Sequence, residues 1–344
     1  MSSKRAVLLL NLGSPDSTSV PDVDRYLREF LGDERVIDIP QSAFLRKLLV
    51  GVIIRKRVKD SAHAYSTIWT EQGSPLILTS KAVQNLLQKK TPVMVELAMN
   101  YANPSIPDAL RRLAAAGIDE VLMFPQYPHY AMSSWETVVA KVRREAATIA
   151  PQMRFAVIQP FYNDPDYIAA LVESARPYLA QPHDHLLFSY HSIPQRHLTK
   201  ADSSKSHCLQ FADCCTTCSP AHATCYKAQV TQTTLLFAKH AGLALDRWSI
   251  AFQSRLVNEP WLVPYTDHEF KRLASEGRKR ILVITPAFVT DCLETLEEIR
   301  VRGEEEFKSA GGESFTHIPC LNEHPAYIDF LAKRLQNWLT DGRV

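Results

Sequence analysis

Apolar side chains along this chain fall into short continuous runs, separated by longer stretches in which they recur every third or fourth position. The runs Arg5–Leu10, Val93–Met99, Glu120–Pro125, Met153–Ile158, His185–Tyr190, Trp248–Gln253 and Arg280–Thr285 predict strands buried on both faces. Between them Pro107–Ala116, Ser134–Ala150, Pro165–Ala180, Ala228–Ala241 and Glu269–Glu276 carry helical periodicity. This alternation predicts an α/β fold of parallel sheets flanked by helices, and 344 residues suffice for two such domains. The break is expected near Pro160, where the run ending at Gln159 gives way to Phe161-Tyr162-Asn163-Asp164-Pro165. No alignable motif is shared by the two halves.

Ligands of such folds bind beyond the carboxyl ends of the strands, which directs attention to the residues just past each run. There stand Asn11-Leu12-Gly13-Ser14-Pro15, the stretch from Pro125 through Tyr127 to Tyr130, His191-Ser192-Ile193-Pro194, and the stretch from Pro286 to Glu294. His191 is a candidate by position: a lone histidine is often a satisfied structural residue, but one at a strand end is placed to take a proton near neutral pH. If a helix opens near Asp291, then Asp291, Glu294 and Glu298 share one face with Glu297 beside them. Such a row either complements the helix dipole or holds a divalent cation or protons.

Between Arg46-Lys47 and Arg55-Lys56-Arg57, the run Leu48–Ile54 is too short to span a bilayer. It fits a buried helix with snorkelling ends, or a lip that dips into an anionic interface or frames a greasy pocket. The run Ala6–Leu10 is too short for a signal peptide, which leads us to expect a cytoplasmic protein, with peripheral contact at the inner face of the membrane allowed. The 39 basic and 37 acidic side chains nearly cancel to +2, against a broad nucleic-acid surface. The 11 glycines form neither phosphate cradle G-x-G-x-x-G nor G-x-x-x-x-G-K-[ST], against nucleotide use.

Five of the seven cysteines lie from Cys208 to Cys225. In a reducing compartment clustered thiols point to metal rather than disulfides. Taking Cys215 gives C-x6-C-x2-C-x6-C and taking Cys214 gives C-x5-C-x3-C-x6-C, each with four thiolates through Cys218 and Cys225. Zinc and an iron–sulfur cluster both fit, and His207 or His222 could substitute as ligands.

Taken in order, Asn11-Leu12-Gly13-Ser14-Pro15, Gln126-Tyr127-Pro128, Phe188-Ser189-Tyr190-His191-Ser192-Ile193-Pro194, Phe252-Gln253-Ser254-Arg255, Trp261-Leu262-x-Pro264-Tyr265-Thr266-Asp267 and Asp291-Cys292-Leu293-Glu294-Thr295-Leu296-Glu297-Glu298-Ile299 resemble the ferrochelatase family across nearly the whole chain. The resemblance implies a lyase with two Rossmann-like domains around a porphyrin cleft, inserting Fe²⁺ into protoporphyrin IX as the last step of heme biosynthesis. Residues 1–160 would form the N-terminal domain with the porphyrin lip, 161–325 the catalytic domain, and the helix within 326–344 would pack back on the first. His191 matches the family's active-site histidine, Glu294 its metal-site glutamate, and Glu298 the next acidic residue on a locally π-bulged helix. His191 and Glu294 would together handle the substrate Fe²⁺. Arg302 stands where some members have a further carboxylate, and Asn100 where many have Arg. Leu12, where the coproporphyrin-using branch tends to have Tyr, favours protoporphyrin IX. Leu12, Phe44, Leu48, Ile53, Ile54, Trp69 and Tyr127 are the expected porphyrin contacts. Residues 205–225 are similar to the internal cysteine segment of a subclass carrying a [2Fe–2S] cluster, which implies Cys208, Cys218, Cys225 and one of Cys214 and Cys215 as ligands, with structural Zn²⁺ the alternative. Competing readings are another tetrapyrrole chelatase and a non-catalytic heme- or metal-binding sensor.

Overall fold

The computed structural model describes residues 4–256 and 259–344. Its strands form two four-stranded sheets. In the first, β1 (Arg5–Asn11), β2 (Met94–Met99), β3 (Glu120–Pro125) and β4 (Arg154–Val157) stand in the order β2-β1-β3-β4. In the second, β5 (His185–His191), β6 (Trp248–Gln253), β7 (Arg280–Ile284) and β8 (Ser314–His317) stand in the order β6-β5-β7-β8. Every pairing is parallel. Both halves are therefore wound alike, the opening strand inside and the next two strands on either side of it, although no shared motif marks this in the sequence. β8 escapes the apolar pattern because it is a short edge strand, with Phe315 as its one large apolar side chain against the core.

Parallel neighbours need long crossovers, and helices supply them. Three helices, α1 (Val20–Gly32), α2 (Ala43–Ile68) and α3 (Pro75–Gln88), connect β1 to β2. Then α4 (Ile106–Ala115) leads to β3, and a short π-helical turn, Met132–Glu136, opens α5 (Thr137–Ile149) before β4. In the second half come α6 (Pro165–Leu179) before β5, α7 (Gln195–Ala201) and α8 (Tyr226–Ala241) between β5 and β6, and α9 (Thr266–Ser275) before β7. A ten-residue π-helix, Glu294–Gly303, continues into α10 (Glu304–Ser309), and α11 (Pro325–Asp341) closes the chain. The starts are written locally: Ser19, Ser105 and Asp164 each accept a backbone N–H of the first turn and are followed by an early proline.

The chain divides into two compact units. One holds the described residues up to Gln126, Met132–Gln159 and Ile328–Val344; the other holds Tyr127–Ala131 and Pro160–Tyr327. Within the first, α11 is fastened by Phe330 edge-on to Phe124 at 6.1 Å, by Arg5 lying 5.1 Å over Trp338, and by Arg5 Nη1 donating to the Leu339 carbonyl at 2.9 Å. The second is built on Leu187, Phe270, Leu273, Ile281, Val283, Ile299 and Phe307. Ile299 ties the π-helix to that core, and at Gly303 an added Cβ would meet the Phe270 ring at 3.0 Å, so the absence of a side chain lets the helix lie close.

Gly13, at the end of β1, has φ of +107°, and a Cβ there would stand 2.0 Å from the Tyr101 carbonyl oxygen. We expect Gly13→Ala to cost more than about 3 kcal/mol in urea unfolding, because backbone strain and a backbone clash add. A midpoint unchanged from the parent would contradict this placement of the loop.

Candidate functional site

β5 pairs with β6 and β7, so its carboxyl end lies where the chain winds off in opposite directions, the usual ligand position of such sheets. His191 is its last residue. Nδ1 lies 2.5 Å from the Ser192 carbonyl oxygen, and a carbonyl only accepts, so Nδ1 carries the hydrogen and a neutral ring keeps its free lone pair on Nε2. Tyr226 Oη donates to the His191 carbonyl at 3.0 Å, and Phe288 sits edge-on to the ring at 6.4 Å. Other histidines are differently spent. His129 donates or accepts at Thr233 Oγ1, 2.9 Å away, and burial pushes its pKa down to about 3. His185, at the opposite end of β5, is pushed down to about 4 by burial and by Arg278, Arg272 and Arg247.

Those two rings are neutral when folded, whereas an unfolded imidazole protonates near pH 6.5. The unfolded chain therefore binds more protons below that pH. Stability contributed by keeping them neutral is complete above about pH 6.5 and is lost as pH falls toward 4, by up to about 1.4 kcal/mol per pH unit for each ring. Urea midpoints at pH 7, 6 and 5 should decline in that order; a flat series would contradict the enclosed, neutral rings.

After β7 the chain turns through Pro286–Leu293 and enters the π-helix with Glu294. Asp291 does not join the carboxylate row that its spacing suggested. It precedes the helix and seals the turn, with Oδ1 accepting from Thr295 Oγ1 at 2.8 Å and Oδ2 from Asn322 Nδ2 at 2.6 Å. Cys292 is buried; burial, then the neighbouring Glu294 charge, pushes its thiol well up and keeps it protonated. Glu298 is half-buried, and loss of water pushes its pKa up, while the 2.5 Å hydrogen bond from Ser254 Oγ and a charged His191 pull it down and Glu294 adds to the rise. His191 and Glu294 thus each stand within electrostatic reach of Glu298. π-Helical i→i+5 spacing is rare and concentrates at functional sites. Here it also pairs Arg302 Nε with Glu297, five residues back, at 2.9 Å.

Of the expected porphyrin contacts, most lie in the first unit. Leu12 is half-buried just past β1. On α2, Phe44, Leu48 and Val52 are 70%, 54% and 51% exposed at four-residue spacing, with Leu45 and Leu49 beside them. Lys47, Arg55, Lys56, Arg57 and Lys59 are exposed on the same helix. Ile53 is half-buried, but Ile54 is 0% exposed and packs into the core, so it presents no surface to a ligand. Trp69 is half-buried after α2, edge-on to Tyr65 at 6.2 Å. Tyr127 belongs to the second unit; its hydroxyl is enclosed with no hydrogen-bond partner among the described residues, and burial pushes its pKa up.

The cysteine loop lies between α7 and α8. Asp202 organises it, its carboxylate accepting from the backbone N–H of Ser204, His207 and Cys208 at 2.8, 2.9 and 2.9 Å. Burial alone would raise this carboxyl, but these bonds outweigh it and hold the pKa well below the ordinary range. Cys208, Cys214 and Cys225 are buried, Cys215 is half-buried and Cys218 is exposed; all are free thiols. Cys214 Sγ is 3.9 Å from Cys215 Sγ, and the Cys215 and Cys208 thiols are close enough to Cys225 to influence its ionisation. Cys225 stands at the N-cap position of α8, and the neighbouring Cys215 thiol, then the Ala228 N–H, draw its pKa down against burial. The rings of His207 and His222 both reach the Cys214 carbonyl, at 2.7 and 2.8 Å. Among the described residues, no group of three or more His, Cys, Asp or Glu side chains is placed to hold a metal ion as it stands.

Sequence reasoning assigned no role to Ser254 or Gln253, although both stand in the Phe252–Arg255 block at the end of β6. A family model described as ferrochelatase matches residues 4–339. Ferrochelatase of Opitutus terrae is 62% identical over 339 residues, covering 97% of this chain and 98% of that protein. Ferrochelatase of Pseudomonas syringae pv. syringae is 50% identical over 323 residues, covering 93% and 94%. Among solved structures, SirB from Bacillus subtilis with Fe³⁺ has a TM-score of 0.56 at 12% identity, covering 98% of this chain and 97% of that one. The sirohydrochlorin chelatase SirB from Bacillus subtilis subspecies spizizenii, in complex with cobalt, has 0.53 at 11% identity, covering 97% and 94%. At those identities the likeness speaks for the fold, which is the chelatase fold. With the family model spanning nearly the whole chain and two relatives at half identity or more, the chain belongs to the ferrochelatase family, the lyases that insert Fe²⁺ into protoporphyrin in heme biosynthesis.

Proposed function

We propose that metallation runs on His191, Glu294 and Glu298, with protoporphyrin IX and Fe²⁺ as substrates. The observation that carries this reading is the tautomer at His191: Nδ1–H is committed to the Ser192 carbonyl, leaving Nε2 to take a proton, with the Glu298 carboxylate in electrostatic reach. Metallation must remove two pyrrole protons and strip water from Fe²⁺. Nε2 takes pyrrole protons, and Glu298 receives them, since its raised pKa makes it a better proton acceptor than an exposed glutamate. Glu294 offers a hard oxygen ligand that holds hydrated Fe²⁺ weakly enough to release it. The two protons leave as Fe²⁺ enters, so porphyrin charge is unchanged overall. Apolar contact with Leu12, Phe44, Leu48, Ile53, Trp69 and Tyr127 would supply the binding energy that bends the macrocycle toward the metal. In this reading residues 1–160 with the helix of 326–344 form the domain bearing the lip, and 161–325 the catalytic domain.

The ridge of Phe44, Leu45, Leu48, Leu49 and Val52, flanked by exposed cations, supports peripheral contact with an anionic membrane from the cytoplasmic side. No helix among the described residues is long and apolar enough to cross one. The reading of the cysteine loop as a [2Fe–2S] site on Cys208, Cys218, Cys225 and one of Cys214 and Cys215 is supported by its five free, soft thiols. Such a cluster would add a redox centre to the loop. Structural Zn²⁺ suits the same thiols.

Two readouts test the finer points. Anaerobic rates with protoporphyrin IX should exceed those with coproporphyrin III by at least about tenfold, and a reversed preference would contradict the reading of Leu12. Purified protein should carry iron and acid-labile sulfide in equal amounts; zinc without sulfide would select the alternative.

A further inference from the structure

We propose that Asn322 is a positioning residue for the metal ligand, its amide clamping Asp291 so that the turn entering the π-helix presents Glu294 in one place. The inference rests on the reading of Glu294 as the group that holds Fe²⁺. Asn322 lies between β8 and α11 and has φ of 46°, in the left-handed region that asparagine tolerates better than most side chains and glycine best of all. A turn that needed only this backbone would be served by glycine. Both ends of the amide are used: Oδ1 accepts the Asp291 N–H at 2.9 Å, and Nδ2 donates to Asp291 Oδ2 at 2.6 Å, joining segments 31 residues apart. The Asn322 N–H donates to the Val289 carbonyl at 2.8 Å, a third bond to the same turn.

From Asp291 the restraint passes to Glu294 through short links. Asp291 Oδ1 accepts from Thr295 Oγ1 at 2.8 Å and from the Cys320 N–H at 3.4 Å, and Thr295 Oγ1 in turn accepts the Cys292 N–H at 3.0 Å. Glu294 stands between Cys292 and Thr295, and its own carbonyl accepts from Gln253 Nε2 at 3.3 Å. Two sets of bonds therefore fix its backbone, one from β6 and one that begins at Asn322. Asp291 is only 8% exposed, so a carboxylate oxygen deprived of the Asn322 donor finds little water to replace it. The turn then shifts to satisfy it and carries Glu294, three residues on, away from its working position, while the strands keep their own ladders. Misplacement of a reacting group by about 1 Å is enough to cost rate.

The test compares Asn322→Gly, Asn322→Asp, the exchange Asn322→Asp/Asp291→Asn, Glu294→Gln and Asn322→Gly/Glu294→Gln in anaerobic Fe²⁺ and protoporphyrin IX kinetics. Asn322→Gly keeps the backbone conformation and removes the clamp; it should lose about tenfold in kcat/KM for Fe²⁺ with the porphyrin KM within about twofold of the parent. Asn322→Asp sets a second carboxylate against Asp291 and should lose at least as much. The exchange restores an amide facing a carboxylate with the roles reversed, and should recover to within about threefold of the parent. Asn322→Gly/Glu294→Gln should be no slower than Glu294→Gln alone, because Asn322 acts through Glu294. Parent kcat/KM in Asn322→Gly would make the position a turn residue only and overturn the proposal. An exchange no faster than Asn322→Asp, or a porphyrin KM that rises as much as kcat/KM for Fe²⁺ falls, would overturn it equally, the latter as a general loosening of the domain. Unchanged Fe²⁺ dependence in Glu294→Gln is a separate failure, removing the metal ligand and the proposal with it.

Discussion

Alanine in place of His191 is expected to lower kcat by about 10³-fold while the protein still binds porphyrin. The loss arises from removing the Nε2 lone pair of a base whose tautomer is set by a backbone acceptor. Folding should survive, because Tyr226 bonds to the His191 backbone carbonyl rather than to its ring, and β5 remains paired to both neighbours. Initial rates under anaerobic conditions, paired with a fluorescence titration of protoporphyrin IX, separate the two properties. Turnover within about tenfold of the parent, beyond the reach of a removed general base, would take His191 out of the chemistry.

Glu294→Gln should cost about 10²-fold in kcat/KM for Fe²⁺, equivalent to about 2.7 kcal/mol of transition-state stabilisation. Glutamine keeps the size of the side chain and leaves intact the bond from Gln253 Nε2 to the residue-294 carbonyl, so the start of the π-helix is retained. What disappears is the charge that attracts Fe²⁺. A variant with unchanged Fe²⁺ dependence would return Glu294 to the role of an acidic residue complementing a helix N-terminus.

Much of the fold is legible in the apolar pattern because parallel strands are buried on both faces and so appear as unbroken runs. Trp248–Gln253 and Glu120–Pro125 are recovered to the residue, while Ser314–His317, an edge strand with one large apolar side chain, leaves no run. The position of His191 was readable for the same reason, as the first polar residue after a buried run. Its tautomer was not, since that depends on the conformation of the next peptide. Asp291 shows the limit of spacing arguments: its carboxylate is claimed by Thr295 and by Asn322, the latter on another segment. The apolar run on α2 was visible, yet which side chains face outward depends on what the helix packs against, and Ile54 turns in while Leu48 turns out. Five clustered cysteines marked a loop of unusual composition without telling which thiols lie inside it. Ser254 carried no signal of its own, because both its backbone conformation and its partner arise only when β6 meets the π-helix.

The most direct test of the account is anaerobic incubation of the purified protein with Fe²⁺ and protoporphyrin IX, monitored for the appearance of the protoheme spectrum. The account predicts catalytic protoheme formation that saturates in both substrates. Bound porphyrin that stays metal-free through many times the expected turnover period would contradict it.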